Sequence, residues 1–154
     1  MMKKIDIKIL DSCVIKRDIV LPKYFTSGSS GLDLRASINK KITIIGGQSY
    51  LIPTGLAIYI QDKSLSAILI PRSGLGHNHG IILGNSVGLI DSDYQGQIMV
   101  SLWNRSSKKY CLYPGTRIAQ MVFLKISQVK FHVVKKFSKK SKRGEKGFGH
   151  TGIS

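Results

Sequence analysis

Gly88-Leu89-Ile90-Asp91-Ser92-Asp93-Tyr94-Gln95-Gly96, followed closely by Ile98-Met99-Val100-Ser101-Leu102-Trp103, shows the organisation of this chain in miniature. A short apolar run, a polar turn closed by glycine and a second β-rich run are the marks of strands joined by tight connections. The pattern recurs in both directions. Residues 5–10 alternate at period two, 43–45, 56–60 and 65–70 are short runs rich in Ile, Leu and Tyr, and 118–126 and 129–134 continue the series. Gly46-Gly47, Pro53-Thr54-Gly55, Gln61-Asp62-Lys63 and Tyr113-Pro114-Gly115 separate them, residues that supply positive φ or a preset turn. Helical periodicity is limited to one or two turns after Pro71. The expected class is all-β, with many short strands in a sandwich, jelly roll or barrel.

A length of 154 residues with 42% apolar content suits one domain with a real core and argues against wholesale disorder. Residues 1–10 lack the apolar run of a signal segment, and no stretch reaches membrane-spanning length, so a cytoplasmic location without a membrane role is expected. Cys13 and Cys111 match no metal or redox spacing. The charge is lopsided: 24 Lys plus Arg against 8 Asp plus Glu give +16, and Glu145 is the only glutamate. Such a chain attracts nucleotides, nucleic acid and anionic membranes alike. Lys135, Lys136, Lys139, Lys140, Lys142, Arg143 and Lys146 gather near the C-terminus, where apolar spacing gives way to glycine. The expected division is a β core over residues 1–134 and a flexible basic arm over 135–154. The other segment outside the strand pattern is the polar loop 22–31.

Several groups could carry chemistry. Asp91 and Asp93 stand two apart; a carboxylate beside a polyphosphate can deprotonate a water or hold a hydrated magnesium ion. Taken alone, a polar turn explains them as well. Pro71-Arg72-Ser73-Gly74-Leu75-Gly76 offers a guanidinium, a hydroxyl and backbone N–H groups to phosphate oxygens, without the spacing of a P-loop. Phe148 stands among glycines and suits either docking in a groove or stacking on a planar ligand. His77 and His79 lack a third ligand, which disfavours a zinc site. His132 reads as a strand residue, His150 has no assigned role, and Trp103 reads as packing at a strand end.

Taken together, these segments resemble the five ordered motifs of the trimeric deoxyuridine triphosphatase family. The motifs are Gly31-Leu32-Asp33-Leu34-Arg35-Ala36, Pro71 through Gly76, Gly84 through Gly96, Pro114-Gly115-Thr116-Arg117-Ile118-Ala119-Gln120, and Arg143 through Gly152. The resemblance spans essentially the whole chain. It implies a jelly-roll-like β barrel with a flexible C-terminal arm, assembled as a homotrimer whose active sites are shared among subunits. It implies hydrolysis of dUTP to dUMP and pyrophosphate, which limits uracil in DNA and supplies dUMP for dTMP synthesis.

Carried residue by residue, Asp91 resembles the water-activating aspartate, and Tyr94 the tyrosine beneath deoxyribose, where a 2′-hydroxyl would collide. Asn85, with Gly88, Leu89 and Ile90 in the hairpin 84–90, resembles the uracil-reading segment, and Met99 is grouped with the substrate-binding residues. Arg72, Ser73, Gly74 and Gln120 match phosphate-binding positions. Asp33 matches an aspartate linked through water to Mg2+, the ion itself being held mainly by the triphosphate. Arg143, Phe148 and Gly149 belong to the closing arm. Asp93 is left to loop architecture. Lys146 stands where the fifth motif often has glycine, while Gly147-Phe148-Gly149 is kept.

Two rivals are weaker. A dCTP deaminase shares the fold but needs a core glutamate, whereas Glu145 lies in the tail. A basic nucleic-acid-binding module would pair its charge with exposed aromatics, of which only Phe148 is expected here. No specific nucleic-acid partner is therefore expected, although nonspecific polyanion binding is.

Overall fold

The computed structural model describes residues 2–10 and 21–147. Among these, ten strands and one short helix follow in order: β1 (Asp6–Ile9), β2 (Leu32–Arg35), β3 (Ile42–Ile44), β4 (Ser49–Tyr59), β5 (Leu65–Ile70), α1 (Ser73–His79), β6 (Ile81–Leu83), β7 (Gly88–Ile90), β8 (Gln97–Asn104), β9 (Tyr110–Leu112) and β10 (Arg117–Lys125). One four-stranded sheet runs β1-β4-β8-β6, a second runs β2-β10-β5-β7, and β3 pairs with β9. Every pairing is antiparallel. This is a predominantly β, jelly-roll-like topology. It corrects the expected barrel: each sheet keeps two open edges, and none closes on itself.

Alternation builds the core. Ile98, Val100 and Leu102 of β8 turn inward at period two, as do Leu32 and Leu34 of β2. They join Ile52, Leu56 and Ile58 of β4, Ala67 and Leu69 of β5, and Ala119 and Met121 of β10 in one cluster. Burying a leucine such as Leu102 contributes about 2 kcal/mol. The outward positions of β2 and β10 are thereby released for polar work.

The structure departs from the sequence reading in four places. Pro53-Thr54-Gly55 does not end a strand; β4 passes through it with a register shift between Pro53 and Ala57. Side chains replace the lost ladder bonds, because Thr54 Oγ1 donates to the Ile98 carbonyl (2.7 Å) and Gly55 N–H to Gln97 Oε1 (3.1 Å), with Gly55 at φ +70°. The segment 84–90 is not a paired hairpin: β6 pairs with β8 and β7 with β5, so its turn crosses from one sheet to the other. Residues 129–134 form no strand, since no sheet edge among the described residues reaches them. Val129, Phe131 and Val133 are left exposed, His132 with them. Finally, Phe148 is not the only candidate exposed aromatic, because Phe131 and Phe137 are each 88% exposed.

The helical turns expected after Pro71 are present as α1. Gly80, at φ +68°, closes it by donating its N–H to the Gly76 carbonyl (3.1 Å). No described helix is long and apolar enough to cross a membrane. Cys111 is an exposed free thiol. Cys13, Phe148, Gly149 and His150 lie outside the described residues.

Candidate functional site

Two clusters of the expected site residues form, at opposite ends of one strand. The first is organised by β10, which lies between β2 and β5. Gln120 sits across from Asp33 on one side and Ile70 on the other, so the chain leaving β5 delivers Arg72 and Ser73 beside them. Both oxygens of Asp33 are engaged: Arg72 Nε donates to Oδ1 (2.8 Å) and Arg117 Nη1 to Oδ2 (3.1 Å). Arg72, Ser73, Gly74 and Gln120 line a recess of about 430 Å³, together with Leu75, Asn78 and His79. Of these residues only Leu75 is buried. Guanidinium, hydroxyl and carboxamide converging on an open recess suit an anion with several oxygens.

Asn78 and His79 lacked any sequence signal for this role, because only the path of α1 turns them toward Arg72. His79 packs its ring at 5.3 Å from that of Tyr110. Arg117 stands in the fourth motif without a role that its sequence position announces; its contact with Asp33 depends on strand register. His77 and His79 meet no third ligand, and no group of three His, Cys, Asp or Glu side chains comes together among the described residues.

The second cluster surrounds the exit from β7. Asp91 follows the buried Ile90, whose carbonyl accepts from Ser66 Oγ (2.8 Å), and the Ser92 carbonyl accepts from Gln61 N–H (2.9 Å). Tyr94 N–H donates to the Asp91 carbonyl (3.2 Å) and closes the turn. The phenol then reaches forward to the Gln97 carbonyl (2.9 Å), two residues before Met99. Asp91 and Asp93 are both exposed, and only Asp91 is fixed by the turn's own hydrogen bond. Gly88 is buried against Leu69, where a Cβ would stand 3.0 Å from the leucine side chain, while Leu89 is exposed. Asn85 is exposed at the crossing turn, and Ser86 holds φ +62°.

Within one chain these clusters do not meet. β5 and β7 run antiparallel, pairing Ala67 with Ile90 and Leu69 with Gly88, so Asp91 lies near the start of β5 whereas Arg72 follows its end. The intervening length of strand corresponds to about 20 Å. Arg143 joins neither cluster: it is exposed and donates from Nε to the Lys146 carbonyl (2.9 Å).

The fold is jelly-roll-like, with an open recess lined by Arg72, Ser73 and Gln120 and a separate carboxylate-bearing cluster around Asp91. The family model described as dUTPase matches residues 17–152, and the chain belongs to that family. It is 58% identical over 151 residues to the deoxyuridine 5'-triphosphate nucleotidohydrolase of Escherichia coli, covering 98% of this chain and 99% of that one. It is 57% identical over 152 residues to the protein of the same name from Serratia proteamaculans, covering 99% of both. Among solved structures, the Staphylococcus bacteriophage 80alpha dUTPase with dUPNHPP superposes with a TM-score of 0.82 at 21% identity, over 99% of this chain and all of that one. A mutant dUTPase from phage phi11 of S. aureus, a protein that coordinates a structural Mg(II) ion, gives 0.76 at 16% identity over 89% of this chain and all of that one. These two likenesses speak to the fold.

Proposed function

We propose that the two half-sites are brought together between subunits of a homotrimer, and that each composite site performs the family's reaction. The chain is a dUTP diphosphatase: it hydrolyses dUTP to dUMP and pyrophosphate. The observation that carries this activity is the end-to-end likeness to the E. coli nucleotidohydrolase. The sharing of sites is supported by the length of β5, which keeps Asp91 of one chain from reaching a phosphate held by its own Arg72.

In this reading Arg72, Ser73, Gly74 and Gln120 bind the triphosphate, and Asp91 of another subunit accepts a proton from water as it attacks the α-phosphorus in line. Tyr94 packs beneath the sugar, where a ribose 2′-hydroxyl would be crowded. Asn85 and the backbone of Gly88, Leu89 and Ile90 read the uracil edge, with Met99 beside them. Arg143, Phe148 and Gly149 close the arm 135–154 over the ligand, excluding bulk water and fixing the nucleophile. Positive charge from Arg72 and the arm stabilises charge developing on the leaving pyrophosphate. A cytoplasmic setting goes with a freely diffusing nucleotide substrate.

Magnesium fits as an outer partner. Asp33 already accepts one N–H at each oxygen, and a carboxylate oxygen has a further lone pair for a water. When bound to the triphosphate, the ion supplies charge neutralisation. The exposed Phe131, just before the arm, and Phe137, among the arm lysines, favour an additional nonspecific affinity for polyanions, strongly weakened by salt.

Pyrophosphate release from a panel of dUTP, dCTP, dTTP and UTP with magnesium tests the function. Release from dUTP alone is expected, without ammonia from dCTP. Equal rates on dUTP and UTP would remove Tyr94 from sugar selection, and ammonia release would favour the deaminase reading.

A further inference from the structure

We infer that Arg117 is a positioning residue for the phosphate recess, acting through Asp33 to keep Arg72 aimed at the ligand. This deepens the proposed function, since it rests on Arg72 contacting phosphate. The two arginines divide one carboxylate. Arg72 approaches Oδ1 with its Nε, at 2.8 Å, which leaves both terminal nitrogens and their four N–H groups for oxygens in the recess. Arg117 Nη1 occupies Oδ2 at 3.1 Å. A lone arginine facing a carboxylate favours a two-pronged pairing that engages both oxygens. Arg117 blocks that arrangement by holding the second oxygen, and it thereby keeps Arg72 in a single-pronged pose.

Charge acts in the same sense. Asp33 with Arg72 alone is a neutral pair, whereas Asp33 between two arginines leaves the cluster one unit positive beside an anionic ligand. The Asp33 side chain is only 12% exposed, so this exchange is weakly screened, while Arg72 and Arg117 are 26% and 39% exposed. Arg117 is itself held from outside: its Cζ lies 5.7 Å from the centre of the Phe25 ring. Phe25 belongs to the polar loop 22–31, whose Thr26 and Ser29 hold each other through backbone and side-chain hydrogen bonds. That loop thus gains a role that its composition did not announce. The chain of contact runs Phe25, Arg117, Asp33, Arg72, recess.

The test uses the full-length protein, with dUTP turnover and, separately, calorimetric binding of inorganic pyrophosphate with magnesium. Arg117→Gln is expected to weaken pyrophosphate binding about 10-fold and to raise KM more than it lowers kcat. Arg117→Lys restores the missing charge and recovers part of the loss. Phe25→Ala produces a smaller change in the same direction, and keeps the test open should Arg117→Gln fail to assemble. In an Arg72→Gln background, Arg117→Gln is expected to add less than about 2-fold, because its effect passes through Arg72. Unchanged pyrophosphate binding in folded Arg117→Gln overturns the inference, as does an equal loss with and without Arg72. Failure of the wild-type protein to hydrolyse dUTP would instead overturn the functional reading, and the binding cycle would still report on Arg117.

Discussion

Asp91 lies beside the start of β5 and Arg72 beyond its end, about 20 Å apart along the strand direction, although they are the two residues expected to act on one phosphate chain. The separation follows from antiparallel pairing: β7 carries Asp91 back toward Ser66 while β5 runs on to Arg72. The proposed sharing of sites between subunits would resolve it and leads to a mixing experiment.

Homotrimers of Asp91→Asn and of Arg72→Gln are each expected to be nearly inactive. Co-assembled in equal amounts they should recover about one quarter of wild-type activity, because one composite site in four draws both intact residues from different chains. Native mass spectrometry would verify that mixed trimers form. Mixed trimers without recovered activity would place both residues in a site within one chain.

Gly96→Ala is a probe of Tyr94 that retains the phenol but displaces it. A Cβ at Gly96 would fall 2.5 Å from the Tyr94 hydroxyl and 2.7 Å from its Cζ, so the ring must move and lose its bond to Gln97. The ratio of kcat/KM for dUTP over UTP is expected to fall roughly 10-fold, the scale on which a small steric contact discriminates. A preserved ratio would separate sugar selection from the position of the ring.

Asn104 is buried on β8 and commits its side chain to β3 and to the next loop. Its Nδ2 donates to the carbonyls of Ile44 and Lys108 (3.1 and 2.7 Å), and its Oδ1 accepts from Ser106 N–H and Oγ (3.0 and 2.8 Å). Asn104→Ala leaves these groups without their partner and should destabilise by about 3 kcal/mol, roughly 10 °C in Tm. Arg105 donates its N–H to the Gly80 carbonyl at the end of α1 (2.9 Å), so the recess should loosen as well and KM rise. Calorimetry and initial rates on the same variant check both effects.

Two side chains are expected to contribute to opposite pH limbs of stability. The Lys3 ammonium, bonded to Asp62, holds that carboxyl well below its usual range, with Ser64 contributing from its side chain and backbone. A depressed folded value means stability that is present above about pH 4 and lost as pH falls, so Asp62→Asn should flatten the acid limb of Tm against pH. Burial pushes the Tyr110 phenol up, against an opposing pull from Arg72 and with Cys111 adding to the rise. Its contribution is whole below about pH 10 and is lost as pH climbs through the raised value, so Tyr110→Phe should flatten the alkaline limb. Limbs that keep their slopes in these variants would assign the pH dependence elsewhere.

Much of the fold was legible because strand signals are local. The alternation at 98–103 and the runs at 65–70 and 118–126 became β8, β5 and β10, and α1 formed where the turns after Pro71 were expected. Errors arose where the outcome depended on distant partners. Residues 129–134 alternate like a strand, yet a strand needs an edge to pair with, and these residues reach none of the open edges of the described sheets. Pro53-Thr54-Gly55 has the composition of a turn, yet Gln97 and Ile98 supply bonds that carry the strand through it.

The site divides in the same way. Sequence by itself determined the chemical inventory and its order along the chain: a guanidinium and hydroxyl at Arg72-Ser73, a carboxylate and phenol at Asp91 and Tyr94, a basic glycine-rich arm after them. Only the tertiary structure decided neighbours. It put Gln120 opposite Asp33, placed Arg117 on the second oxygen of that carboxylate with Phe25 behind it, and held Asp91 a strand's length from Arg72. The reason is that residue type and period act over a few positions, whereas register, sheet order and the sharing of one carboxylate between two arginines are set by contacts between residues far apart in sequence.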